Sequence, residues 1–292
     1  SPEGCFADTF SLLVQGKILP EDVMKLYREC DGPIVKSSGG GSGGGCYNLF
    51  KDFVKQLSEE GHTVEIATNE KLAPVHDAVS ELGFKVHQIS CVRTPFNKGN
   101  IKAIRQLKKI VSENEYDIVH CHTPIAAMCT RLACINQRKK GTKVFYTAHG
   151  FHFYKGAPLK NWLIYYPIEK ICSYFTDTLI TINKEDYALA QKKMKAKKIE
   201  YVAGVGLDTK RFLGCELSDG QKLEMRKEIG VPENAKLLLS IGELNQNKNH
   251  QIVLKALSLI NNDDIHYAIA GIGSKGEYLK NLAKEFGLEE RF

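Results

Sequence analysis

The chain has 292 residues, of which 43% are hydrophobic, so it can bury a full core and intrinsic disorder is not expected. Forty Lys and Arg against 34 Asp and Glu give a net charge of +6, which suits an anionic ligand or a membrane surface. No basic run of the sequence is interleaved with aromatic residues, and this argues against a nucleic-acid-binding groove. At ~150 residues per domain, the length indicates two domains.

The distribution of cysteines and apolar residues narrows the protein class further. Nine cysteines at irregular spacings form no CxxC pair, which favours reduced thiols over a disulfide framework. The run His120-Cys121-His122 does not predict a metal site, because alternate residues of a strand point to opposite faces. No apolar run approaches the ~18 residues of a membrane span, and the start lacks a signal-peptide pattern. We therefore expect a cytoplasmic protein, with peripheral contact to the inner face of the plasma membrane as an open alternative.

From Cys46 onward, helical and strand patterns alternate as in a doubly wound parallel sheet. Apolar residues at helical spacing are followed by short apolar runs, and each return crossover must lie over the sheet. Asn183 is the expected N-cap of the last helix in this series. The predicted strands are 63–67, 84–89, 118–120, 143–147 and 178–182, and the predicted helices are 49–57, 73–82, 101–112, 126–136, 160–175 and 184–194.

A second, shorter series follows a Gly-containing stretch at 203–208. The predicted strands are 236–241 and 266–270, and the predicted helices are 221–229, 249–259 and 275–286. We place the domain boundary near Gly204, which gives one domain of residues 46–203 and another of residues 204–292. Two strands make an unusually small sheet, so the second domain is expected to be incomplete at Phe292.

Residues 1–45 do not follow this pattern. The Gly/Ser run at 39–45 has the composition of a flexible linker, and one plausible helix at 20–30 precedes it. In one interpretation, 1–45 is an atypical or fused segment that replaces the first strand. In the other, residues 33–36 are that strand and the glycines form a phosphate-proximal loop. The linker is favoured, because seven residues exceed the length of a tight strand-to-helix turn.

Polar residues follow the predicted strands at the edge where open parallel sheets bind ligands. His120 and His122 end one strand, and His149 and His152 follow its neighbour. Imidazoles there can hydrogen-bond sugar hydroxyls or phosphate oxygens and exchange protons near neutral pH. The alternative is that each histidine only satisfies loop carbonyls.

A strand, a polar turn and a helix start at 238–250 form a second candidate site. This order directs backbone N–H groups and Lys248 at one place, as in sites that hold a diphosphate, although a lysine at a helix start is often only solvated. Gly271 and Gly273 follow the next strand and offer a second close backbone approach. The sequence has no Walker A motif, no GxGxxG opening a βαβ unit, no nucleophile elbow and no HExxH motif, which argues against P-loop kinases, common dehydrogenases and familiar hydrolases.

Five motifs together resemble family 4 glycosyltransferases of bacterial capsule and exopolysaccharide assembly, over about Cys46 to Phe292. They are 117–124, 147–156, 179–186, 204–208 with Phe212, and 241–244 with Lys248. The resemblance implies an α/β protein of GT-B-like fold, with two facing Rossmann-like doubly wound parallel sheets, the second incomplete here. It also implies retaining transfer of a sugar from a nucleotide diphosphate, expected to be UDP, to a lipid-linked or polysaccharide acceptor, without a metal or cofactor.

The resemblance also assigns roles to individual residues. His149 resembles the histidine beside the transferred sugar, and Lys248 resembles the basic residue that neutralises the donor diphosphate. The acceptor side is expected to contain His122, Gly150 and His152. The donor side is expected to contain Gly206, Gly242, Glu243, Asn247, Gly271 and Gly273.

The sequence departs from the family pattern in three places. Glu243 stands where many members have Arg, and an acid there repels phosphate. The usual first strand is missing or replaced within 1–45, and the Glu-x7-Glu segment of relatives lies beyond Phe292. A chain of this extent is therefore expected to bind a UDP-sugar weakly and to turn over little. A sugar-nucleotide epimerase of GT-B-like fold and a non-catalytic partial or fused protein remain alternatives.

Two segments are compatible with peripheral membrane contact. They are the basic stretch 191–198 and the aromatic-rich helix at 162–175. The alternative is a solvated helix end and a core-packed helix, because Trp162, Tyr166 and Ile171 also suit burial.

Overall fold

A computed structural model describes residues 10–15, 57–71, 83–203, 217–260 and 262–292, with 10–15 described for the backbone only. The chain divides into two compact units, Cys5–Asp208 and Thr209–Phe292, called here the first and the second unit. Several predicted features lie outside the described residues, namely the boundary at Gly204, Gly206, the helices at 20–30 and 73–82, the Gly/Ser run and the alternative strand at 33–36.

A seven-stranded sheet forms the centre of the first unit. Its strands are β1 Phe10–Gln15, β2 Thr63–Thr68, β3 Lys85–Gln88, β4 Ile118–His122, β5 Lys143–Ala148, β6 Thr178–Thr181 and β7 Lys198–Tyr201. Their spatial order is β3-β2-β1-β4-β5-β6-β7. The parallel α/β architecture predicted from Cys46 onward is confirmed, because β2–β3 and every pair from β4 to β7 are parallel.

Strand β1 lies between β2 and β4 and is antiparallel to both. Residues 10–15 of the segment that did not fit the βα pattern are therefore part of the sheet, and the sheet is mixed rather than wholly parallel. An antiparallel strand satisfies the facing backbone groups of its neighbours as well as a parallel one does. The hydrophobic pattern does not report strand direction, which is why the sequence did not reveal this reversal.

The helices of the first unit that the structure describes in full follow the strands as predicted, except that the predicted helix at 126–136 is interrupted at Cys134 and forms two helices. They are α1 Lys98–Glu113, α2 Pro124–Ala133, α3 Ile135–Lys140, α4 Leu159–Ser173 and α5 Lys184–Lys193. Asn183 caps α5, since its side chain accepts a hydrogen bond of 2.7 Å from the Asp186 N–H, which confirms the predicted cap. The edge strand β7 was not predicted, because its Lys-Ile-Glu-Tyr sequence alternates charges with apolar residues, as edge strands often do.

Helix α2 packs between α1 and α4 and is rich in small residues. Ala126, Ala127 and Cys129 are buried, so the helix can lie close to its neighbours. One buried ion pair joins α2 to α4: the Arg131 guanidinium donates two hydrogen bonds to the Glu169 carboxylate, at 3.0 and 3.1 Å. These contacts hold α4 against α2.

The described residues of the second unit contain two parallel strands, β8 Lys236–Ile241 and β9 Ile265–Ala270, as predicted. Its helices are α6 Asp219–Glu228, α7 Gln251–Ser258 and α8 Gly276–Glu285, followed by a 3-10 turn at Glu289–Arg291. Helix α7 begins two residues later than predicted, because Asn249 has a φ of 50° and cannot belong to a right-handed helix. Lys248 therefore lies in the loop before the helix and not at the helix start.

Candidate active site

Three histidines meet where β4 and β5 end. The two strands are parallel neighbours, and His122 faces Thr147 in their register. His120 Nε2 is 2.9 Å from Thr147 Oγ1, and His122 Nδ1 is 3.3 Å from His149 Nε2. The ring centroids of His120 and His122 are 4.2 Å apart, and those of His122 and His149 are 5.5 Å apart. We call His120, His122 and His149 the histidine row.

Strand alternation produces this row. His120 and His122 lie on one face of β4, whereas Cys121 packs on the opposite face with Ala127 and Tyr146. Cys121 is therefore separated from the imidazoles. In the part of the chain that the structure describes, no group of three or more His, Cys, Asp or Glu is arranged to hold a metal ion.

Burial makes the histidine row electrically neutral at pH 7. It lowers the pKa of His149 to about 4 and that of His120 to about 3, and it holds the pKa of His122 well below its usual value. Mutual repulsion between the protonated rings adds to the effect for His120 and His122. Each neutral ring has one N–H donor and one nitrogen acceptor. The partly exposed His149 can therefore hydrogen-bond a sugar hydroxyl, whereas His120 and His122 are buried behind it, and the row carries no fixed positive charge.

Two acidic residues of α5 hold the loop that carries His149. Asp186 Oδ2 accepts a hydrogen bond of 3.0 Å from the Phe151 N–H, and Glu185 Oε1 accepts one of 3.3 Å from the Lys155 N–H. At Gly150 the backbone has a φ of 155°, and an added Cβ would meet no atom within 4 Å. The loop is thus fixed from behind, while its backbone beside His149 faces open space.

His152 is the one predicted histidine that lies elsewhere. Its ring is exposed and stacks on Tyr165 of α4, with the ring centroids 4.5 Å apart. Burial of part of the ring lowers its pKa. The structure therefore brings His122 and His149 together, whereas His152 packs on the side of α4 through Tyr165.

The sequence analysis did not select Thr123, and it noted His120 at the strand end without including it among the site residues. Thr123 precedes Pro124 at the first turn of α2 and has a φ of 61°, which is uncommon for a β-branched residue. Its hydroxyl is buried and has no hydrogen-bond partner within the described ranges. Strained, unsatisfied residues of this kind occur at ligand sites. The His-x-His spacing, which puts both rings on one face, could have pointed to His120.

The loop of residues 242–250, called here the Lys248 loop, connects β8 to α7. Lys248 lies across Gly242: its Cε is 3.5 Å from the place that a Cβ on Gly242 would take. Asn245 arranges the loop, because its Oδ1 accepts a hydrogen bond of 3.0 Å from the Lys248 N–H and its Nδ2 donates one of 3.0 Å to Glu243 Oε2. Across residues 217–260 and the other described ranges, no carboxylate is within ion-pair distance of the Lys248 ammonium.

A buried chain of polar contacts supports the Lys248 loop from below. His250 Nε2 is 3.2 Å from the Glu243 carbonyl oxygen, and His250 Nδ1 is 3.3 Å from the Tyr267 hydroxyl. That hydroxyl donates a hydrogen bond of 3.0 Å to Ser240 Oγ. Sequence reasoning missed His250 and Asn245, although an Asn three residues before Lys248 is a common turn-forming signal.

Gly271 and Gly273 allow the two loops of the second unit to pack backbone against backbone. A Cβ on Gly271 would overlap the Gly242 carbonyl oxygen, and one on Gly273 would overlap the Leu244 backbone. Leu244 N–H also donates a hydrogen bond of 3.0 Å to the Ile272 carbonyl, which extends the ladder between β8 and β9. These glycines are thus required by loop packing. Asn247 of the Lys248 loop is exposed. A contact of any of them with a donor stays a prediction.

Comparison with known proteins identifies relatives of both units. Residues 46–183 match the family described as "Glycosyl transferase 4-like", and residues 221–292 match "Glycosyl transferases group 1". EpsD of Bacillus subtilis strain 168, described as a glycosyltransferase, is 40% identical over 240 residues, which are 80% of this chain and 60% of EpsD. The UDP-Gal:alpha-D-GlcNAc-diphosphoundecaprenol alpha-1,3-galactosyltransferase of Escherichia coli is 26% identical over 63% of this chain and 46% of that enzyme. The chain thus spans about half to three-fifths of the length of these two relatives.

Solved structures share the fold. Anabaena Alr3699/HepE in complex with UDP-glucose matches with a TM-score of 0.57 and 16% identity, over 87% of this chain and 66% of that one. A glycosyltransferase from Rickettsia africae ESF-5 matches with a TM-score of 0.59 and 19% identity, over 86% and 64% of the two chains. Both comparisons agree with the parallel α/β units described above. The chain belongs to the glycosyltransferases of GT-B-like fold, with a 4-like first part and a group 1 second part.

Proposed function

We propose that this chain carries the acceptor side and part of the donor side of an enzyme that moves a sugar from UDP to a lipid-linked or polysaccharide acceptor in exopolysaccharide or capsule assembly. Transfer with retention of configuration and without a metal is part of the proposal. The names of two relatives support it, since one uses UDP-Gal and a diphosphoundecaprenol-linked acceptor and the other binds UDP-glucose.

The Lys248 loop is the observation that carries the proposal. When a sugar leaves a nucleoside diphosphate, negative charge develops on the phosphate, and a fixed cation stabilises it. Lys248 is held across Gly242 and is not neutralised by a carboxylate of the described residues. The acid at Glu243 opposes a phosphate, and its hydrogen bond to Asn245 keeps that carboxylate engaged within the loop. Lys248 is therefore assigned to the diphosphate.

The histidine row is assigned to the sugar. A neutral His149 can donate or accept a hydrogen bond to a hydroxyl of the transferred sugar, and the open backbone at Gly150 leaves room for a ring nearby. Because the row is neutral, it cannot stabilise the negative charge of the leaving group, and we assign that role to Lys248. His122 orients His149 through their contact of 3.3 Å.

Donor binding and turnover test this assignment. UDP binding is measured by calorimetry and sugar transfer by UDP release, for UDP-glucose, UDP-galactose and UDP-N-acetylglucosamine, with and without an undecaprenyl-diphosphate-linked acceptor. Lys248→Ala should weaken UDP binding about 10- to 100-fold, as expected for the loss of a charge-assisted contact to phosphate. Lys255→Ala, which removes an exposed lysine of α7 in the same unit, is the matched control and should leave binding unchanged.

Two results would contradict the proposal. Equal UDP binding by Lys248→Ala and by the unchanged chain would show that Lys248 does not contact the donor. Conversion of a UDP-sugar to its epimer in the absence of any acceptor would indicate an epimerase instead of a transferase.

A further inference from the structure

Helix α4 presents an apolar face to solvent. Its exposed residues are Leu159, Lys160, Leu163, Ile164, Pro167 and Ile171, and Tyr174 follows directly after the helix. Leu159, Leu163, Pro167 and Ile171 are spaced by four residues and form one stripe along the helix. Leu159 is 73% exposed, Leu163 68% and Ile171 57%. We call Leu159, Leu163, Ile164, Pro167, Ile171 and Tyr174 the α4 face.

This exposure does not come from a poorly packed helix. Trp162 and Tyr166 pack against Phe153 on the inner side of α4, with ring centroids 5.5 and 5.4 Å from the Phe153 ring. Glu169, the only acidic residue of the helix, is buried and paired with Arg131. The sequence expectation of burial therefore holds for Trp162 and Tyr166 but fails for Ile171. The α4 face is therefore a second apolar surface of the helix, and no other described residue covers it.

Basic residues border the α4 face at its C-terminal end. The Lys170 ammonium donates a hydrogen bond to the Lys193 carbonyl oxygen, and the Lys195 N–H donates one of 2.9 Å to Ser173 Oγ. These contacts bring the end of α5, with the exposed side chains of Lys192, Lys193 and Lys195, beside the end of α4. None of these three lysines is paired with a carboxylate of the described ranges, unlike Lys197 and Lys198 further along, which are paired.

We propose that the α4 face and these three lysines dock the first unit onto an anionic lipid surface. Apolar side chains on a convex helix enter the acyl boundary, while lysines beside them contact anionic headgroups. A convex apolar stripe bordered by charges of one sign matches a negatively charged bilayer. The helix is too short and too polar on its inner side to span one, and within the described ranges no helix has the length and apolar composition of a span. The proposal is independent of the sugar donor and of turnover.

Co-sedimentation with vesicles tests this docking. The full chain is mixed with vesicles of phosphatidylcholine alone or of phosphatidylcholine with phosphatidylglycerol, at low and high salt. We expect at least about tenfold stronger partitioning to the anionic vesicles, which decreases as salt screens the lysines. The double variant Leu163→Ser/Ile171→Ser should lose about tenfold of this partitioning. Replacement of Lys192, Lys193 and Lys195 by Gln should remove the preference for phosphatidylglycerol.

A matched variant controls for exposed apolar area as such. Leu259 and Ile272 of the second unit are 80% and 72% exposed, and Leu259→Ser/Ile272→Ser should bind vesicles like the unchanged chain. Because all substituted side chains are exposed, circular dichroism should show unchanged folding for each variant. The proposal is overturned by the absence of vesicle binding, by equal binding to both vesicle types, or by an equal loss in the control variant. Binding that survives Leu163→Ser/Ile171→Ser in a folded protein overturns it as well.

Discussion

The histidine row differs from the sequence expectation in its protonation. Imidazoles at strand ends were expected to exchange protons near neutral pH, yet burial keeps the pKa of His149 at about 4. At pH 7 the ring is therefore a neutral hydrogen-bonding group, and general acid catalysis by a protonated His149 is not expected there. The sequence places the histidines on adjacent strands, but the degree of their burial depends on side chains from several elements.

Protonation of this row should destabilise the fold. The pKa of His149 is lower in the folded chain than its ordinary value of 6.5, so the unfolded chain binds the proton more readily. The resulting stability is present above about pH 6.5 and is lost as the pH falls towards 4. For His149 alone, the free energy of unfolding should decrease by about 2 kcal/mol between neutral pH and about pH 5. Thermal unfolding at both pH values, followed by circular dichroism, measures this loss.

Substitution separates His149 from other titrating groups. His149→Gln cannot take up the proton, so its unfolding free energy should depend less on pH in this window. Thr123→Val, at the end of the neighbouring strand β4, changes no titrating group and should retain the full pH dependence. An identical pH dependence in His149→Gln and the unchanged chain would show that His149 is protonated equally in the folded and unfolded states.

At the scale of the element, the two faces of α4 lie in different environments. Its inner face packs on the first unit through Trp162 and Tyr166, and its outer face forms the α4 face. The pair of Arg131 and Glu169 holds the helix in this orientation, and the Arg131 guanidinium also lies 4.2 Å from the Tyr146 ring centroid. Helical periodicity predicted the helix but could not show which of its apolar residues remain exposed, since neighbouring elements decide that.

Loss of one partner of this pair should destabilise the first unit strongly. Glu169→Gln leaves the buried Arg131 charge without its carboxylate, and breaking such a pair costs about 3–5 kcal/mol. The double variant Arg131→Met/Glu169→Leu leaves no buried charge and should cost less than either single change. Urea denaturation measures both. Glu113→Gln removes an exposed pair with Lys109 at 3.8 Å and should change the unfolding free energy by less than about 0.5 kcal/mol.

Loops show where sequence reasoning was weakest. The strand and helix around Lys248 were predicted, but the helix begins later because Asn249 adopts a left-handed conformation. The roles of Asn245 and His250 also depend on that turn, because each contacts residues that the turn brings near. By contrast, the need for Gly271 follows from packing on Gly242, which a small-residue pattern had already indicated.

At the scale of the whole molecule, the parallel direction of β4, β5 and β6 followed from the alternation of strands and helices, because each return crossover must lie over the sheet. The position and direction of the central strand β1 could not be predicted in this way. Strand β1 is separated from β2 by a long stretch of chain, so no local signal specified its place or direction. Long-range pairing of this kind is decided by the backbone groups that β2 and β4 leave open.

Blocking β1 should therefore destabilise the whole first unit. Leu12 faces Ile66 of β2 and His120 of β4, so its N–H lies inside the sheet. Leu12→Pro removes that N–H from a central strand, where proline is not tolerated, at a cost of about 3 kcal/mol or more. For a unit of this size the midpoint of thermal unfolding should fall by roughly 6–12 °C. Leu12→Val keeps the N–H and should have a much smaller effect, and equal midpoints for the two variants would show that the sheet closes without β1.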